Sequence, residues 1–224
     1  MCAASLVYAV RMRESYDTRC RVGARQIVAP IGAGEARIPA LVRLRDERLI
    51  LFFDERPAPA SGTGADFNGL TTASDLPNPN RIRWMERDGS GDWSDPRELP
   101  TGAPPVSSDA CVGVDGRGLM HLAFASSEGA VGYMDSRAGG ERLRAWWAWG
   151  SGPAELTYAD MTDAHYEVTG ADALFSTSGA TATVDGEVAM PYVVRVGERT
   201  YVQVVDARAG APGQRPSMMA MRGS

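Results

Sequence analysis

Three stretches of the chain share one pattern of apolar and polar positions. They are IPALVRLRDERLILFFD, SDACVGVDGRGLMHLAFAS and TSGATATVDGEVAMPYVVRV. Each is a run of alternating or continuous apolar residues, a turn triplet that begins with Asp, and a second apolar run. Period-two alternation over short runs bounded by turn residues predicts β-strands, and Asp-Gly between two such runs predicts a hairpin. The second and third turns carry Asp-Gly. The turns begin at Asp46, Asp115 and Asp185, which lie 69 and 70 residues apart. A period this long fits a four-stranded sheet with one long loop, repeated as propeller blades. Helical periodicity is scarce. ADMTDAHYEVTGADALF (Ala159 to Phe175) predicts a helical turn or two. The fold class expected is therefore all-β, with about three blades in 224 residues. Three blades in an open array leave apolar sheet faces uncovered.

Composition narrows the function. Hydrophobic content of 44% and charged content of 23% are ordinary for a globular protein. A net charge of −5 argues against a nucleic-acid partner. All 23 basic residues are arginine, so an arginine here carries less functional weight than usual. Three irregularly spaced cysteines, Cys2, Cys20 and Cys111, imply no disulfide framework. No Cys/His cluster predicts a metal site, and no cofactor motif is present. The first 20 residues hold too short an apolar run for a signal peptide. The expected location is cytoplasmic as the sequence is written, or secreted if the true start lies upstream. No segment reaches the length of a transmembrane helix.

Four ordered motifs resemble the sialidases (neuraminidases, exo-α-sialidases), glycosidases built as six-bladed propellers. ARIPALVRL resembles their Arg-Ile-Pro motif, and LILFFDERP the second strand of their first blade. SDLPNPNRIRWMERDGSGDWSDPREL resembles the loop, strand and Asp-box that follow. FSTSGATATVDGEVAMPYVVRVGERTYVQVV resembles the third-blade region of bacterial members. The resemblance spans residues 36 to 205, and it implies the amino-terminal half of such a propeller. Residues 1–30 are expected to be an N-terminal extension and 31–205 the partial propeller. Residues 206–224 are expected to be an aberrant or disordered tail, where a further Asp-box should begin and no strand pattern is seen. A shifted reading frame or a truncated gene would account for that tail.

The resemblance implies an exo-α-sialidase that removes terminal sialic acids from oligosaccharides, glycoproteins or glycolipids. Arg37 matches the first of three arginines that grip the sugar carboxylate, a task suited to the planar guanidinium fork. Arg56 matches an arginine near the substrate, and Asp54 is expected to orient it or to end the strand. Asp75 matches the acid/base aspartate on the long loop, with Asp66 as the alternative on the same loop. Its role would be to protonate the leaving glycosidic oxygen. Asp109 matches an aspartate beside the hydroxyl or acetamido end of the sugar. Asp88 and Trp93 match a degenerate Asp-box whose role is structural. The tyrosine nucleophile and its glutamate are not assigned. Tyr166 and Glu167 are adjacent, so their side chains are expected to diverge. Trp146, Trp147 and Trp149 are expected in the core, and His121 buried and hydrogen-bonded on its strand. The other reading of the function is a non-catalytic propeller that binds a glycan or a protein on its strand-end loops.

Overall fold

The computed structural model describes residues 35–56, 80–89, 91–100, 106–127, 143–208 and 217–220. They form three sheets in chain order, of four, five and five strands, each built on a four-stranded antiparallel meander, which makes the fold an all-β propeller with three blades. Blade 1 is β1 (Glu35–Arg43), β2 (Leu49–Arg56), β3 (Arg81–Arg87) and β4 (Arg97–Glu98). Blade 2 is β5 (Val106–Val114), β6 (Met120–Ser127), β7 (Arg144–Gly150) and β8 (Thr157–Asp160). A helix, α1 (Thr162–Thr169), then leads into β9 (Ala173–Ser176), β10 (Gly179–Ala180), β11 (Ala182–Val184), β12 (Glu187–Val196), β13 (Arg199–Arg208) and β14 (Ser217–Ala220).

Blade 2 is buried on both faces, because side chains alternate across a strand. Val112, Leu122, Phe124 and Ala148 pack with Ile50, Phe52, Ile82 and Trp84 of blade 1. Their neighbours Cys111, Ala123, Ala145 and Trp147 pack with Val188, Met190, Tyr192 and Val194 of blade 3. All eight residues of β6 are buried as a result. On the outer faces of blades 1 and 3, Leu41, Val184 and Val202 are exposed, whereas Phe53 and Met85 of blade 1 are buried.

The turns correct one expectation. Asp46 and Asp115 do not occupy equivalent places. The Leu44 N–H bonds to the Arg48 carbonyl in blade 1, and the Asp115 N–H to the Leu119 carbonyl in blade 2. The blades therefore repeat at 71 residues, with Leu44 opposite Asp115 and Glu47 opposite Gly118. Asp46 still does for Arg48 what Asp115 does for Arg117. Each carboxylate accepts the backbone N–H two residues on and pairs with that residue's guanidinium. The Asp-x-Arg device is shared, displaced by two positions. Only the third turn is a two-residue hairpin, with positive φ at both Asp185 (51°) and Gly186 (83°), as a type I′ turn requires.

Glu47 adopts φ 72°, where blade 2 has Gly118 at φ 90°. A side chain in the left-handed region costs about 1–2 kcal/mol. Glu47→Gly is expected to stabilise the protein by about 0.5–1 kcal/mol, since the exposed Arg43–Glu47 pair that it removes contributes little. Thermal melting of the two proteins checks this, and a lower midpoint would refute it.

The inner strand of blade 3 is divided. Both β9 and β11 pair with β12, and between them β10 crosses to pair parallel with β5 of blade 2. Gly113 permits this crossing, because a Cβ there would lie 2.7 Å from Thr181 Cγ2. The tail also departs from expectation. Strand β13 runs through Arg208, and Ser217–Ala220 pairs with it as β14. Four residues are too few to show an alternation in sequence, so this strand depends on the edge that β13 offers. The N-terminal extension lies outside the described residues.

Candidate functional site

The candidate site lies where β1 and β2 of blade 1 meet β5 of blade 2. Two bulges shape it. Strand β1 slips register against β2 between Arg37 and Ala40, and β5 slips against β6 between Ser108 and Cys111. Each bulge holds a residue at positive φ, Ile38 at 55° and Asp109 at 62°. A β-branched residue at positive φ is strained, and such strain concentrates where a side chain must be aimed. The residues before the slips, Arg37 and Ser108, occupy the same place in their blades.

Strand β2 supplies the interior of the site. Its alternation puts Ile50, Phe52, Asp54 and Arg56 on one face, toward blade 2. Asp54 and Arg56 are fully buried, with Arg56 Nη2 3.6 Å from Asp54 Oδ2. Arg56 is therefore not the solvated strand end that its charge alone would predict. The Ser108 hydroxyl donates to Asp54 Oδ2 across the blade interface. Arg37 is the ladder partner of Asp54. Its side chain is 45% exposed and lies 3.8 Å from Glu35. Burial pushes the Asp54 carboxyl up to about 7, helped by the charge of Asp109 and opposed by the Ser108 hydroxyl and Arg56. Asp109 is half-buried on the same interface.

Three predicted residues, Arg37, Arg56 and Asp109, thus sit around a carboxylate that joins the two blades. Asp75 and Asp66 fall outside the described residues. Sequence reasoning missed Ser108 and Asn80. Asn80 precedes β3, is fully buried, and has neither side-chain amide atom hydrogen-bonded. Its carbonyl accepts the Ser107 N–H, and the Ser107 hydroxyl accepts the Ile82 N–H, which ties β3 to β5. The signal available in sequence was the position of Asp54 and Arg56 on the apolar face of LILFFDER.

The remaining candidates are structural. Asp88 is exposed and Trp93 half-buried in the turn that joins β3 to β4. That turn is closed by Arg87 bridging Trp93 and by the Ser94 N–H on the Glu86 carbonyl. Trp147 is fully buried and its indole N–H donates to His121 Nδ1 at 3.2 Å. The His121 Nε2 proton then points to Asp115 Oδ2, also at 3.2 Å. Burial pulls the His121 pKa down, against the pull of Asp115. Trp146 stacks on Phe124 and donates to the Ser126 hydroxyl. Tyr166 is buried with its hydroxyl directed to the Leu143 carbonyl, whereas Glu167 is exposed, so the two diverge as expected. Among the described residues no group of three or more His, Cys, Asp or Glu could hold a metal. Among them, too, no helix is long and apolar enough to cross a membrane.

No protein-family model matches the chain, and no curated protein matches it by sequence. Solved structures do. The Hadza microbial sialidase Hz136 superposes with a TM-score of 0.60 at 16% identity, over 82% of this chain and 37% of that one. The NanB sialidase of Streptococcus pneumoniae superposes with a TM-score of 0.56 at 9% identity, over 88% and 46%. The Trypanosoma rangeli sialidase superposes with a TM-score of 0.55 at 14% identity, over 82% and 30%. The chain thus spans less than half the length of each of these proteins, and its three blades have the fold of a sialidase-like β-propeller.

Proposed function

We propose that the chain carries the sugar-gripping and proton-donating part of an exo-α-sialidase, a glycosidase that releases terminal sialic acids. The observation that supports this most is the placement of Arg37. Its guanidinium is half-exposed at the bulge of an inner strand, and Arg37 is the ladder partner of the buried Asp54, on a sialidase-like fold. In this reading Arg37 receives the sugar carboxylate through two parallel hydrogen bonds. Asp109 borders the hydroxyl or acetamido end, and Arg56, fully buried, acts near the substrate through its ion pair with Asp54. Asp75 protonates the leaving oxygen and then takes a proton from water. The tyrosine nucleophile that the resemblance implies, an exception to the paired carboxylates of most glycosidases, is not assigned to a residue here.

The test is binding and turnover of a fluorogenic α-sialoside. Arg37→Ala is expected to weaken binding about 10- to 100-fold, the range of a charge-assisted hydrogen-bonded pair. Asp75→Ala is expected to leave binding intact and to abolish whatever turnover the chain supports. Binding unaffected by Arg37→Ala would overturn the reading. A second reading, a glycan-binding propeller without catalysis, is favoured by the burial of Tyr166 away from Glu167. Binding without turnover at saturating enzyme would select it.

A further inference from the structure

We propose that Asp54 couples the binding of an anionic sugar at Arg37 to the uptake of one proton. The inference rests on the reading that Arg37 grips a carboxylate. Its basis is the charge count around a buried group. Glu35 and Arg37 face Asp54 from β1, Arg56 shares its strand, and Asp109 faces it from β5. Asn80 and Ser108 are the neutral polar neighbours. Among the described residues, with Glu35, Asp54 and Asp109 ionised, three negative groups outnumber two guanidiniums, and an arriving anion meets net repulsion.

One proton removes that excess, and Asp54 is the group placed to take it. Glu35 is exposed, so its carboxylate is solvated by water. Asp54 is fully buried, so its charge is the costly one to maintain. Its Oδ2 accepts the Ser108 hydroxyl, while Oδ1 has no hydrogen-bond partner. The proton goes to Oδ1, leaving the link to blade 2 through Oδ2 in place. The balance is simple. The ionised carboxylate, a proton from solvent and the anionic sugar give a neutral carboxylic acid beside the bound anion. No bond of the sugar breaks. Because a carboxyl near neutrality needs little to protonate, the coupling falls in an ordinary pH range.

Isothermal calorimetry with the methyl α-glycoside of N-acetylneuraminic acid tests this, in two buffers of different ionisation enthalpy. At about pH 8 the wild type should take up close to one proton on binding, and at about pH 5.5 close to none. Affinity should rise by up to about tenfold for each pH unit lowered between them. Asp54→Asn should bind with no uptake and no slope. Ser108→Ala removes a donor to the ionised form, so it should move the midpoint of uptake to higher pH; it serves also if Asp54→Asn does not fold. Wild-type binding without uptake, the same uptake in Asp54→Asn, or an unmoved midpoint in Ser108→Ala would each overturn the coupling alone. A wild type that fails to bind the glycoside at every pH would overturn the sialidase reading and the coupling with it.

Discussion

Trp147→Ala is expected to cost the protein about 3–5 kcal/mol, the range for removing a large aromatic side chain from a packed core. Trp147 has no exposed surface and stands on the face of β7 that packs against blade 3. Its loss opens a cavity among Ala123, Val188 and Met190, in a sheet already enclosed on both sides. It also removes the hydrogen bond to His121 Nδ1, leaving a buried acceptor unsatisfied. The effect should spread beyond blade 2, because blade 2 is what both neighbours pack on. Urea unfolding, with Trp93→Ala as the half-buried comparison, measures it. A loss under about 1 kcal/mol would show that blade 2 is not the shared core described above.

His165 should contribute strongly to the pH dependence of stability, in the sense opposite to Asp54. The ring is fully buried, packs on Tyr192 with centroids 4.3 Å apart, and has neither nitrogen hydrogen-bonded. Burial pulls its pKa from 6.5 down to about 4. Only the unfolded chain binds the proton between those values, so stability rises with pH across that window. The contribution is complete above pH 6.5 and is lost as pH falls toward 4, a change of about 3 kcal/mol. Asp54 acts in the opposite sense. Burial raises its carboxyl from the ordinary 3.8 to about 7, so falling pH favours the folded state through that group. The two are separated by comparing wild type with His165→Phe. The unfolding free energy of wild type relative to His165→Phe should rise by about 3 kcal/mol from pH 4 to pH 6.5. A constant difference would mean that water reaches the ring.

The two predictions mark how unevenly the molecule could be read. The three blades were legible, because period-two alternation and turn residues are local properties of the chain. So were the core position of Trp147, the burial of His121 and the helix holding His165. The repeat was read two residues out of register. Both Asp46 and Asp115 begin an Asp-x-Arg device, and only the backbone hydrogen bonds show that Leu44 and Asp115 are the equivalent positions. Strand β14 escaped notice because four residues carry no periodicity, and its existence depends on the edge of β13.

The sequence alone determined that this chain forms antiparallel sheets of propeller type, that Arg37 and Asp109 lie on the first strands of their blades and that Arg56 ends β2. Those features follow from neighbouring residues on one strand. Tertiary structure alone decided that Asp54 and Arg56 are fully buried, that Ser108 reaches Asp54 from another blade, and that Ile38 and Asp109 are held at positive φ. Each depends on which face of which sheet meets its neighbour. A charge at the end of an apolar strand looks the same in sequence whether water or a second sheet lies beyond it.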